Sequence, residues 1–126
     1  MTGPSPKTRE IVYRRALFAC ERCGGNPYGG ALHHRRARGM GGSRRGDTNS
    51  PANLACLCND CHLVIESHRT MAYASGWLVR QGKHPSSVPV LTVSGWVLLT
   101  DEGAYLPVGE GEGEASDPAG GYGGAA

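Results

Sequence analysis

Cys20-Glu21-Arg22-Cys23 opens a stretch that closes at Cys58-Asn59-Asp60-Cys61-His62. Each Cys-x-x-Cys pair is a hook that offers two thiolates from one tight turn, and two hooks joined by a polar loop suit one tetrahedral ion. A structural zinc on Cys20, Cys23, Cys58 and Cys61 is therefore expected. Disulfides are disfavoured, because Met1-Thr2-Gly3-Pro4 is no secretory leader and the fifth cysteine, Cys56, would be left odd. Redox chemistry would want a single hook opening a helix in an α/β setting. Cys56, in Leu54-Ala55-Cys56-Leu57, reads as a small buried hydrophobe.

Between the hooks, Ala31-Leu32 supports a short strand that runs into His33-His34. Adjacent side chains of an extended segment point to opposite faces, so one imidazole can face a metal while its neighbour faces substrate. Arg35, Arg36, Arg38, Arg44 and Arg45 then lie among Gly39, Gly41, Gly42 and Gly46. Flexible backbone carrying guanidinium donors suits a surface that fits around phosphates and does not specify a base sequence; Arg35, Arg36 and Arg38 are the expected phosphate contacts. Pro51 and Asn53 mark a turn, and Leu63, Val64 and Ile65 after His62 fit one face of a short helix. The residues thus read strand, long loop, turn, helix. Glu66 stands four residues after His62, one helical turn on along the same face.

Taken together, Cys20-x2-Cys23, His33-His34-Arg35-Arg36, Asn53-Leu54 and Cys58-x2-Cys61-His62 resemble the HNH endonuclease family, and in particular the small HNH proteins of actinobacterial bacteriophages. The resemblance covers about residues 18 to 70. It implies a small α+β fold, a zinc-stapled ββα-metal (HNH) module, to which the flanking residues add an N-terminal helix and a C-terminal β-hairpin. It implies that His33 and His62 hold a catalytic divalent ion, that His34 is the general base and that Asn53 steadies it. Some related enzymes carry a histidine at the spacing of Glu66, which makes Glu66 a candidate third ligand; its other reading is a solvated acid on a helix surface.

The cofactors implied are a structural zinc and one divalent ion drawn from Mg, Mn, Ni and Zn. Many members of the family carry aspartate where this chain has His33, and an all-imidazole pair favours zinc or nickel over magnesium, which prefers oxygen ligands. The activity implied is hydrolysis of phosphodiester bonds in double-stranded DNA, by nicking or cutting. The setting implied is phage genome packaging, with terminase or other packaging proteins as partners. Elementary chemistry agrees: hydrolysis needs an activated water and relief of charge on the phosphoryl and leaving oxygens, which an imidazole and a divalent cation can supply. The rival reading is a non-catalytic, zinc-stabilised nucleic-acid-binding module, which needs the cysteines and arginines but neither His34 nor a second ion.

The chain of 126 residues is long enough for one small domain with extensions, and at 39% hydrophobic it suits a metal-stapled module better than a large apolar core. No run reaches the roughly 20 apolar residues of a membrane span. Thiols kept for zinc point to a reducing compartment, the cytoplasm, which for a phage product is that of the bacterial host. Residues 1–45 hold ten Lys/Arg against two acids and the remainder three against nine, so positive charge gathers around the histidine pair, where a polyanion would be steered.

In order, residues 1–8 read as a disordered leader and 9–76 as the nuclease domain, opening with a helix over 9–19. Arg14, Arg15 and Arg22 read either as further phosphate contacts or as a solvated face. A helix over 67–76 is ended by Gly76. Residues 77–108 read as an extension in which Trp77-Leu78-Val79 packs back and a hairpin turns at Asp101-Glu102-Gly103. Residues 109–126, with seven glycines and three glutamates, read as a disordered acidic tail.

Overall fold

Ser5-Pro6 starts the first element ahead of the apolar spacing. In the computed structural model, which describes residues 3–37 and 46–108, helix α1 runs Pro6–Arg15. Ser5 Oγ accepts from the Thr8 N–H at 3.1 Å, and Pro6 occupies the first turn, where its missing N–H costs nothing. The segment read as a leader therefore carries the start of a helix. That helix also stops before Ala19, because Leu17 and Phe18 adopt left-handed backbone (φ 55° and 57°) and turn the chain toward Cys20.

Strand β1, Leu32–His34, pairs antiparallel with β2, Leu54–Cys56, with His33 opposite Ala55 and His34 opposite Leu54. All three residues of β2 are buried, so the strand shows no alternation that would betray it in sequence. A single 3-10 turn, Pro51–Asn53, leads into it. Helix α2, Asn59–Ser67, is capped by Cys58, and α3, Arg69–Ala74, restarts after a break at His68. Gly76 follows with φ 82°, and a Cβ there would lie 1.9 Å from the Pro89 carbonyl oxygen, so only glycine fits. Trp77, Leu78 and Val79 are buried, and the Val79 N–H bonds the Arg35 carbonyl at 2.8 Å.

The remaining strands β3 (Val90–Thr92), β4 (Gly95–Leu99) and β5 (Tyr105–Pro107) form an antiparallel sheet in that order. The hairpin expected at Asp101–Gly103 is β4–β5, with β3 as a third strand. The main core joins Cys20, Leu57, Cys61, Ile65, Ala72, Trp77, Val90 and Leu99; a smaller cluster of Val12, Ala16, Leu54 and Cys56 lies under α1. Cys56 is thus the small buried hydrophobe expected, whereas Leu63, read onto the inner face of α2, is 68% exposed. Arg15 pairs with Glu21 at 2.8 Å, Glu21 also takes the Tyr105 hydroxyl at 2.6 Å and the Cys56 N–H at 2.9 Å, and this buried network ties α1, the first hook, β2 and β5 together. Arg15 is accordingly no surface cation. Among the described residues no helix is long and apolar enough to cross a membrane.

Candidate metal centres

The first hook is a tight turn: the Gly24 N–H bonds the Cys20 carbonyl at 2.8 Å, and the Gly25 N–H reaches Cys23 Sγ at 3.3 Å. The second hook opens α2, where Cys58 caps the helix N-terminus and its Sγ accepts from the Cys61 N–H at 3.4 Å. The four sulfur atoms of Cys20, Cys23, Cys58 and Cys61 lie within 4.8 Å of one another. Burial raises the Cys20 thiol, but N–H donors of Cys58, Cys23 and Arg22 outweigh it and bring the group down to about 7. Burial pushes Cys61 up to about 12, although Arg22 Nη1 donates to its sulfur at 3.3 Å. Four sulfurs at this spacing match the donor set of a structural zinc, whose charge would hold all four as thiolates.

A second cluster forms where β1 meets α2. Ligand atoms of His33, His62 and Glu66 lie within 4.8 Å of one another. The His33 and His62 rings meet edge to face at 5.2 Å between centroids, and His62 Nε2 lies 3.7 Å from Glu66 Oε2. His33 is buried and donates Nε2–H to the Trp77 carbonyl at 2.8 Å, which fixes the tautomer and leaves Nδ1 with its lone pair. Burial also pushes its imidazole down to about 4, against the pull of that carbonyl, so the ring is neutral at pH 7, the form a metal ligand needs. Two imidazoles and a carboxylate form a donor set fitted to a divalent transition ion. Glu66 therefore joins the cluster rather than standing only as a surface acid.

His34, next along β1, is half-buried, and its Nε2–H donates to Asn49 Oδ1 at 2.8 Å, leaving Nδ1 as the ring's basic nitrogen. Asn53 does not touch this ring. It is fully buried, its Oδ1 accepts the Arg36 N–H at 2.7 Å, and its Nδ2 donates to the Thr48 carbonyl at 2.8 Å and the Arg36 carbonyl at 3.2 Å. Its part is to tie Arg36 to Thr48, the residue that precedes Asn49. Asn49 is the residue that sequence reasoning missed. It stands in Asp47-Thr48-Asn49-Ser50-Pro51, which reads as turn, and only the folded loop brings it to the imidazole.

The arginines require a correction. Arg35 is wholly buried, and its guanidinium donates to the carbonyls of Gly76 and Ala52 at 2.8 Å, Val88 at 2.8 Å and Pro85 at 3.1 Å. Arg36, 2% exposed, pairs with Asp47 and donates to the Lys83 carbonyl at 2.9 Å. Both solvate the inside of the fold, so neither is the expected phosphate contact; Arg38 lies outside the described residues. The chain matches no protein-family model, no curated protein sequence and no solved structure. The structure thus gives a small α+β domain with two candidate metal clusters, one of four cysteines and one of His33, His62 and Glu66.

Proposed function

We propose that this chain is a metal-dependent endonuclease that hydrolyses phosphodiester bonds of duplex DNA, with the antiparallel pair β1–β2 and helix α2 as an HNH-like ββα-metal module. The observation that carries the reading is the convergence of His33, His62 and Glu66 within 4.8 Å, with His34 adjacent on the same strand and held by Asn49. The residues present fit the ion: His33 Nδ1, His62 and Glu66 would hold it, and when bound it would supply positive charge to the phosphoryl and leaving oxygens.

The chain's own groups account for the rest. His34 Nδ1 takes the proton of the attacking water, Asn49 keeps the ring in the tautomer that leaves this nitrogen free, and Asn53 fixes the loop on which Asn49 stands. The four-cysteine site anchors α2 and the first hook and so sets the position of His62 against β1. Phage packaging proteins as partners, and a bacterial host cytoplasm as the setting, follow the same family resemblance. The test is conversion of supercoiled plasmid by zinc-loaded protein with Mg, Mn, Ni or Zn added in parallel. Cleavage that depends on an added ion supports the reading; DNA binding without cleavage in all four moves the zinc-stabilised binding module ahead.

A further inference from the structure

With Arg35 and Arg36 withdrawn into the fold, a described cation tied to the His33–His62–Glu66 cluster is Arg69, and Arg80 joins it over the Tyr73 ring. Glu66 Oε2 faces His62, and its Oε1 takes Arg69 Nη1 at 3.1 Å. The Arg69 guanidinium also lies over Tyr73, one turn further along α3, at 5.9 Å from the ring centroid. Arg80 lies over the same ring at 4.2 Å. The segment that carries Arg80 is tied to the histidine strand twice, through the Val79 N–H on the Arg35 carbonyl and the Trp77 carbonyl on His33.

Two guanidiniums gathered on one ring repel each other, and a tyrosine face at an exposed site offsets this only weakly. Glu66 offsets Arg69 alone, and no described carboxylate pairs with Arg80. The charge left over is what a chain of phosphates would neutralise. We infer that Arg69, Tyr73 and Arg80 form a ladder that binds the phosphodiester backbone of duplex DNA beside the phosphate presented to the metal cluster. The inference rests on the nuclease reading of that cluster for its place in the reaction, and on the geometry of the ladder for its ligand.

The experiment measures binding of a fluorescent DNA duplex by anisotropy across a salt titration, using full-length, zinc-loaded His34→Ala protein as the uncleaving parent. Each phosphate contact contributes about 0.9 to the log–log salt slope, so R69Q/R80Q flattens it by about 1.8, and a fourfold rise in salt weakens the parent about 12-fold more than the variant. R69K/R80K retains most of the slope. Substituting Lys7 and Arg9 on α1 by glutamine leaves affinity within about threefold, which separates the ladder from general charge. A parent slope and affinity in R69Q/R80Q overturns the inference, as does a parent that binds no duplex at low salt. If the slope flattens as stated but wild-type protein cleaves in no divalent ion, the ladder stands as a binding surface and the nuclease reading alone fails.

Discussion

Replacing Arg35 distinguishes a guanidinium that solvates the core from one that meets DNA. The side chain is fully buried and feeds four carbonyls, from Ala52, Gly76, Pro85 and Val88, which belong to the turn before β2, the end of α3 and the approach to β3. Burial and the nearby Arg15 charge push the guanidinium down to about 9, so it remains protonated at neutral pH. A hydrogen bond from a charged donor is worth about 1.5–3 kcal/mol, and a buried carbonyl stripped of its donor loses about that much. If half of the four carbonyls find water in Arg35→Ala, the loss is still about 3 kcal/mol. Relief of one buried charge offsets part of this, and the cavity adds to it. Domains of this kind are stable by about 5–15 kcal/mol, so the variant folds with a markedly smaller margin. Urea melts of zinc-loaded protein, followed by fluorescence of the buried Trp77, read the loss, with Arg35→Lys expected between wild type and alanine. A change under about 0.5 kcal/mol, the range of surface substitutions, together with a fall in DNA affinity, would refute the reasoning and return Arg35 to the phosphate surface.

The other variants separate the two clusters and the loop. Cys61→Ser or zinc chelation collapses the main core, since structural zinc is worth about 10 kcal/mol or more, whereas Cys56→Ala costs about 1 kcal/mol and keeps the ion; circular dichroism with zinc analysis reads both. Asn53→Ala loses three buried hydrogen bonds and about 2–4 kcal/mol, while Asn49→Ala melts within about 1 kcal/mol of wild type yet slows single-turnover cleavage. Hydrogen bonds from Arg36 hold the Asp47 carboxyl below its usual 3.8. Its contribution is therefore full above that value and lost as pH falls below it, so Asp47→Asn flattens the acid limb of a stability–pH profile.

Spacing alone exposed the features that depend on chemistry at fixed intervals. The two hooks announce themselves as Cys-x-x-Cys, and His62 and Glu66 declare a shared helix face by their separation of four residues. What stayed hidden depends on burial. Arg35 and Arg36 sit in a run of arginine and glycine whose composition suggests solvent, and nothing local reports that the carbonyls of residues 52, 76, 85 and 88 converge on one guanidinium. β2 was masked for a related reason, because a fully buried strand has no polar face. The early start of α1, by contrast, was legible in Ser5-Pro6, a capping residue followed by proline. Asn49, rather than Asn53, meets the His34 imidazole, because a sequence shows which side chains are polar but not which one a loop turns toward a ring.

Single-turnover cleavage of plasmid across a metal titration, with wild type, His34→Ala and His33→Ala compared at equal DNA occupancy and equal zinc content, tests the central claim most directly. Loss of a general base costs about 10²–10⁴ in rate, and loss of a metal ligand acts first through occupancy. The account predicts that His34→Ala loses cleavage at every metal concentration while binding DNA as wild type does, and that His33→Ala recovers part of its rate as metal rises. Cleavage at the wild-type rate by His34→Ala would contradict it.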